Sequence, residues 1–451
     1  MLLLTIEKLI YGGDGLARLP TVSPSDDRGR GKAVFAPFVL AGEKIEASLT
    51  EQKPGFARAI VDAIVEPSPH RVSPVCPHFG TCGGCHYQHA SYEHQLHIKK
   101  EILRENLKRI AKLDLSCEIE VHPSPPWNYR NRSRLQVQTQ PAFAAGYFKL
   151  ASHELLPVEH CPISSPLVNR GIAALWQIGR AGHVVDGIRE VEFFANADDT
   201  QLLVEVFCTA DARRATVRVW AEDWQATMPE IAGVVAFREA QHGARSAATD
   251  ERLVSVGDPH LTYQTQRASY RVSAGAFFQT NRHLTDELVK IVAQGCSGSL
   301  ALDLYAGVGL FSTALAGDFR HIVCVESSQP AAEDLKYNLP SNGESIQATA
   351  EEYLIRSEPR GRVGKGRILP HVAHKPDLVV VDPPRSGLGE RVARALAELG
   401  APRVTYVSCD PATLARDLIV LLAAGYRVEQ AHLVDLFPQT YHLETVLRLV
   451  R

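Results

Sequence analysis

Hydrophobic and polar positions divide the chain into stretches of different rhythm. Residues 1–66 carry short apolar segments in alternation with polar positions. They are broken by the turn GGDG at 12–15 and a polar stretch at 24–31, and followed by AVFAPFVLAGEKIEASL at 33–49 and FARAIVDAIV at 56–65. A period of two punctuated by glycine turns predicts a small β-barrel of the OB type. Pro67 and Pro69 mark a boundary, and residues 70–90 read as a cysteine-rich loop. At 91–113 the period lengthens: Leu96, Ile102, Leu103, Leu107 and Ile110 recur at helical spacing and predict one amphipathic helix. Segments such as RSRLQVQT and QLLVEVFCT give 119–264 a mixed strand and helix character.

From 265 onward apolar runs alternate with helical stretches. LALDLYA, HIVCVE, DLVVVDPP and RVTYVSC read as strands of a doubly wound parallel sheet. The expected fold is therefore multidomain α/β. A barrel spans 1–66, a cysteine-rich loop 67–90, a helix packing on the catalytic domain 91–118, a central α+β domain 119–264, and a Rossmann-like domain 265–451. The stretch 356–375, rich in Arg, Lys, Gly and Pro, reads as a surface insertion.

Charge changes this picture little. Lys plus Arg number 48 against 51 Asp plus Glu, for a net charge of −3. Bulk charge gives no support to nucleic-acid binding, so any such contact rests on local patches. One such patch is Arg130, Arg132 and Arg134, which alternate and on a strand would line one face towards phosphates. The amino-terminal run MLLLTIEKLIYGG carries Glu7 and Lys8 and no basic leader, and no apolar run is long enough to span a bilayer. The expected location is the cytoplasm, without a membrane partner.

The chemistry collects at strand ends. In DLYAGVGLF a strand ends near Asp303 and turns through Gly307 and Gly309 into a helix, which lets backbone approach a ligand. Glu326 closes the next strand, where a carboxylate accepts ribose hydroxyls. With DPPR at 382–385, these residues favour S-adenosylmethionine as ligand. Cys409, in YVSCDPATLARDL, stands before a helix whose dipole would favour the thiolate, while Asp410 opposes it. Glu444 follows in YHLETV, on a strand face shared with His442 by period two; a raised pKa there would suit a general base, and His442 reads as a packing residue. A thiol, a cofactor pocket and a carboxylate are what methylation of carbon 5 of a pyrimidine requires.

Nine cysteines without secretory context argue against a disulfide framework. Cys76, Cys82 and Cys85 follow a Cys-x5-Cys-x2-Cys spacing, with Cys161 a distant fourth. Soft thiolates in a group of four suit an iron–sulfur cluster or zinc, and spacing alone does not separate the two.

With these residues in hand, the chain resembles the S-adenosylmethionine-dependent RNA 5-methyluridine methyltransferases that carry a TRAM domain and an iron–sulfur cluster. The likeness rests on GGDG, VFAPFVLAGE, CPHFGTCGGCHYQH, HCPIS, GAFFQTN, DLYAGVGLF, VVDPPRSG, YVSCDPATLARDL and HLETV, in this order. It implies that Cys409 is the nucleophile and Glu444 the base. Gln279, Tyr305, Glu326 and Asp382 are then the cofactor positions, Phe277 lies against the target base, and Asn281 is close to the site. It further implies a [4Fe–4S] cluster on Cys76, Cys82, Cys85 and Cys161, a TRAM-type barrel, and a monomer acting on RNA, with 23S ribosomal RNA favoured over transfer RNA. Two positions depart from the family pattern: Asp410 stands where Asn is common, and Leu310 where some relatives have a polar residue. The competing expectations are methylation of cytosine, and an RNA-binding iron–sulfur protein without catalysis.

Overall fold

A computed structural model describes residues 1–19, 31–238, 251–356 and 375–451. The basic stretch singled out at 356–375 lies almost wholly outside the described residues. Six short strands open the chain: β1 (Leu2–Thr5), β2 (Lys8–Leu9), β3 (Gly15–Arg18), β4 (Ala33–Ala36), β5 (Lys44–Gln52) and β6 (Phe56–Glu66). They form one sheet in the order β1-β5-β6-β4-β3-β2. Its two edges belong to one amino-terminal segment: the Ile6 N–H donates to the Glu43 carbonyl at 2.9 Å and the Glu7 N–H to the Leu16 carbonyl at 2.8 Å. The sheet thus curls on itself and leaves little free edge. Val34 and Ala36, Ile45 and Ala47, and Ala57 and Ala59 fill its interior at the predicted period of two.

Helix α1 (Tyr92–Ile110) follows the cysteine-rich loop and buries Gln95, Ile98, Lys99, Ile102, Leu103, Asn106 and Leu107. The predicted stripe began at Leu96, yet Gln95 and Lys99 are more deeply buried. Both have partners far along the chain. Lys99 donates to Asp435 at 2.6 Å and to the Phe437 carbonyl at 2.9 Å, and Gln95 exchanges hydrogen bonds with Gln439. A buried charge is tolerable only when paired in this way. Strand β7 (Ile119–His122) then joins the carboxy-terminal sheet, not the central one.

The central sheet has the order β10-β9-β8-β11-β12-β13-β14. Its strands are β8 (Arg132–Gln138), β9 (Ala144–Phe148), β10 (Leu155–Pro157), β11 (Ile188–Ala195), β12 (Leu202–Cys208), β13 (Ile231–Arg238) and β14 (Glu251–Gly257), with α2 (Pro166–Arg180) and α3 (Arg214–Thr227) between them. Every residue of β12 is buried. One of its faces meets α2 and α3 in a core with Trp220 and Trp224, and the other turns Leu203 and Phe207 towards the carboxy-terminal domain. Two of the three arginines expected to meet phosphates are paired within the sheet. Arg132 pairs with Glu192 and Glu205, and Arg134 with Glu192 and Glu190. Carboxylates on neighbouring strands claimed both guanidinium groups, which sequence alternation could not reveal.

The hairpin β15 (His260–Gln264) and β16 (Ser269–Ser273) leads into α4 (Thr285–Ala293). There follow β17 (Gly298–Leu304), α5 (Leu310–Leu315), β18 (Phe319–Glu326), α6 (Gln329–Asn338), β19 (Gly343–Gln347), α7 (Ala350–Arg356) and β20 (Leu378–Val381). The chain closes with α8 (Gly389–Leu399), β21 (Arg403–Ser408), α9 (Pro411–Ala423), β22 (Arg427–Val434) and β23 (Glu444–Val450). The sheet order is β19-β18-β17-β20-β21-β23-β22-β7. β17 to β21 run parallel, and β23 enters antiparallel between β21 and β22. Strand order reverses between β17 and β20, which opens a crevice at their carboxyl ends. Among the described residues no helix is long and apolar enough to cross a membrane.

Candidate active site

A cleft of about 650 Å³ opens at that crevice, and Gln279, Tyr305, Glu326, Asp382, Cys409 and Glu444 all line it. Topology explains the convergence. Tyr305 follows β17, Glu326 ends β18, Asp382 follows β20 and Cys409 follows β21. Parallel strands deliver all four at one edge. Glu444 arrives from the opposite direction on β23. The β21–β23 ladder pairs Ser408 with Thr445, so its next step sets Cys409 beside Glu444.

The glycine turn works through space as well as conformation. Gly307 has φ +55°, and a Cβ there would meet nothing within 4 Å. Its N–H donates to Glu326 Oε2 at 2.8 Å, and the Ser328 N–H donates to Oε1 at 2.7 Å. Glu326 is therefore held rigidly, with one lone pair on each oxygen left for a ligand. Tyr305, at φ +63°, is held in the left-handed region beside it. Gln279 presents a side-chain amide that has no hydrogen-bond partner among the described residues, while its carbonyl accepts from Asn131 at 3.2 Å. Phe277 is 63% exposed at the cleft, available for stacking. Asn281 does not line the cleft. It is fully buried, donates to Ser124 Oγ and the Leu436 carbonyl, and accepts from the His283 and Leu284 N–H groups.

Acidity dominates the electrostatics. Burial and then Asp303 push the Asp382 carboxyl up to about 7. Burial, then Asp382, holds Glu444 well above the ordinary carboxylate range, against the pull of Arg385. Burial first, then Glu444, Asp382 and Asp410, lift the Cys409 thiol to about 12 against the pull of Arg385. The expected dipole assistance is not directed at Cys409: Asp410 caps α9 instead, accepting from the Ala412 and Thr413 N–H groups at 2.9 Å each. Two residues assigned no role in the site from sequence also stand here, His442 having read as a packing residue. Arg385, next in line after Pro384, brings its Nη2 to 3.3 Å from His442 Nε2. His442 also lines the cleft, and burial and then Arg385 lower its pKa to about 3, so it stays neutral.

The amino-terminal sheet reaches this centre. Tyr11 Oη donates to the Cys409 carbonyl at 3.2 Å, and its ring meets Tyr441 edge-on at 5.4 Å. Tyr441 in turn packs against His86 at 4.6 Å. No local pattern could have flagged Tyr11, which lies 398 residues from Cys409.

A second cleft of about 540 Å³ is lined by Cys76, Cys82, Cys85, Cys161 and Arg130. Gln88 accepts from the Cys76 N–H at 3.0 Å, and the Gly84 N–H donates to Cys82 Sγ at 3.4 Å. Asn169 of α2 clamps Cys161 through both its N–H and its carbonyl. Burial raises the thiols of Cys76 and Cys82, and that of Cys85 to about 12. Arg130 Nε is buried with no hydrogen-bond partner. From this loop the His86 and Tyr87 N–H groups both donate to the Gln439 carbonyl at 2.9 Å, on the segment that leads to Glu444.

Residues 91–451 match the family described as tRNA (Uracil-5-)-methyltransferase. An RNA methyltransferase of Aquifex aeolicus is 32% identical, over 99% of this chain and 97% of its own length. One of Streptomyces avermitilis is 32% identical, over 98% of this chain and 96% of its own length. The crystal structure of Pyrococcus abyssi tRNA (uracil-54, C5)-methyltransferase in complex with S-adenosyl-L-homocysteine superposes with a TM-score of 0.72 at 24% identity, covering 99% of each chain.

Proposed function

This chain belongs to the tRNA (uracil-5-)-methyltransferase family, and on that premise we propose that it methylates carbon 5 of a uridine in RNA through a covalent bond to Cys409. The observation that carries this reading is the adjacency of Cys409 and Glu444 at the end of one ladder, in the cleft that also holds Glu326 and Asp382.

Carbon 5 of uracil is a weak nucleophile. The Cys409 thiolate adds to carbon 6, and the ring takes up the electron pair as an enolate, which makes carbon 5 electron-rich. The open lining at Gly307, the fixed Glu326 carboxylate and the acidic walls fit S-adenosylmethionine; when bound, it would supply the methyl group and a positive sulfonium charge that these carboxylates favour. Glu326 would hold the ribose hydroxyls, with Gln279, Tyr305 and Asp382 about the rest of the cofactor. Glu444 then takes the proton from carbon 5. The electrons of that C–H bond restore the ring double bond and expel Cys409 as thiolate. Burial equips Glu444 for this role by raising its proton affinity. Phe277 stacks on the flipped base.

The four cysteines fit an iron–sulfur cluster better than one zinc ion. A tetrahedral zinc site with Zn–S of about 2.3 Å sets its sulfurs about 3.8 Å apart. Among the described residues no three cysteine sulfurs lie mutually within 4.8 Å. The buried, unpartnered Nε of Arg130 would face the net negative charge of a thiolate-ligated cluster. The role of the cluster is read as structural, because the His86–Tyr87 backbone next to Cys85 braces the segment before Glu444. The amino-terminal barrel is read as a TRAM domain that positions RNA, and the chain as a monomer in the cytoplasm.

The substrate is read as 23S ribosomal RNA, from the resemblance that includes the four cysteines. Transfer RNA is the second reading, favoured by the fold shared with the P. abyssi tRNA enzyme. Mapping 5-methyluridine in both RNAs, from cells with and without the protein, tests this. Loss of a mark from 23S RNA is expected. Loss from tRNA alone selects the second reading, and no lost 5-methyluridine refutes both.

A further inference from the structure

Three donors outside the cleft converge where the edge strand β7 joins the carboxy-terminal sheet. The parallel ladder sets His432 of β22 directly opposite Glu120 of β7, and His122 lies two residues on. His122 Nε2 is 3.1 Å from His432 Nδ1. His432 Nδ1 is 3.4 Å from Glu120 Oε2, and His122 Nε2 is 3.8 Å from Glu120 Oε1. A tetrahedral ion bound at 2.0–2.1 Å sets its N and O ligands about 3.4 Å apart, so these separations bracket the edge of such a shell. A carboxylate also backs one of the imidazoles. Glu287, in the first turn of α4, brings Oε1 to 3.2 Å from His122 Nδ1, the carboxylate–imidazole arrangement that fixes the tautomer and leaves Nε2 free to ligate.

We propose that Glu120, His122 and His432 bind a divalent metal of the zinc class, with water in the fourth position. Two imidazoles and one carboxylate favour zinc or its transition-metal neighbours over magnesium or calcium. The ion would tie β7 to β22 directly and to α4 through Glu287. One row of the sheet runs from His122 through Val434 to Glu444, so the tie would brace the strand next to the base. This site is separate from the four cysteines and does not depend on their ligand.

The test uses the full chain, with its iron content measured before and after. Zinc is titrated by calorimetry, and cobalt(II) is followed by its visible ligand-field bands. The expected result is one ion per chain, a cobalt spectrum without thiolate charge-transfer absorption, and unchanged iron. Glu120→Ala and His432→Gln weaken binding at least about tenfold, while Cys161→Ser leaves it intact. Glu120 is 66% exposed along its side chain, so its variant tests the site even if His432→Gln fails to fold. Zinc should also raise the melting temperature of the wild type and not of Glu120→Ala. The proposal is overturned if no ion binds, if Glu120→Ala binds as tightly as wild type, or if binding disappears in Cys161→Ser.

Discussion

The two clefts both hold buried thiols, but opposite charges surround them. Around Cys409 stand Glu444, Asp382 and Asp410, which raise its thiol against the pull of Arg385. Around Cys82 and Cys85 stand neighbouring thiols, which raise theirs, and Arg130, which lowers them. Burial is the largest cause at both, and Cys409 and Cys85 are each pushed up to about 12. The counter-charge therefore separates the proposed roles. An acidic cleft in which Glu444, Asp382 and Asp410 outnumber Arg385 suits a sulfonium; a thiol cleft in which the Arg130 Nε has no partner among the described residues suits a thiolate-bound cluster. Each pocket is shaped as the electrostatic complement of its proposed occupant.

Removing the thiol from the acidic cleft should have the largest consequence. Cys409→Ala is expected to lower turnover by at least about 10⁴-fold, since a nucleophile acts as a unit with its neighbours. The check is tritium transfer from S-adenosylmethionine to RNA. Glu444→Gln comes next, at about 10²- to 10⁴-fold. Cys409 can still add to the ring in that variant, so methylated RNA should remain bonded to the protein and migrate with it on denaturing gels.

Alkylation compares the two clefts in one sample. In cluster-loaded protein, iodoacetamide should modify Cys409 and spare the four cysteines, and stripping the cluster should expose them. Because Cys409 titrates near 12, its thiolate fraction should rise about tenfold per pH unit from neutrality, with no plateau below that value. Mass spectrometry of the labelled peptides reads both outcomes. The smallest effect is expected at the guanidinium. Arg130→Gln removes a positive neighbour, disfavours the added electron, and should lower the reduction potential of the cluster by tens of millivolts. An unchanged potential would detach Arg130 from that pocket's electrostatics.

Strand ends were legible in the sequence because apolar runs, glycine turns and acidic terminators are local signals. Glu326, Asp382, Cys409 and Glu444 follow from those local signals, whereas Gln279 and Tyr305 follow only from the family resemblance. What stayed hidden depends on partners distant in sequence. Gln95 and Lys99 look misplaced on α1 until Gln439 and Asp435 are seen opposite them. Arg132 and Arg134 look free for phosphates until the β11 and β12 carboxylates pair with them. Asn281 sits in a motif beside the site but serves to hold the turn before α4. Cys409 looked assisted by a helix end, whereas Asp410 takes up the first amides of α9. Local pattern carries the element and its end; long-range pairing decides which polar group is free to act.

The sulfur–carbon bond is best tested with RNA in which 5-fluorouridine replaces uridine, incubated with the protein and S-adenosylmethionine. Fluorine cannot leave carbon 5 as a cation, so Glu444 has no proton to take and the ring stays attached. A methylated RNA–protein adduct mapped to Cys409, and absent from Cys409→Ala, is the predicted result. An active protein that forms no such adduct, or forms it through another residue, would contradict the assignment of Cys409 as nucleophile.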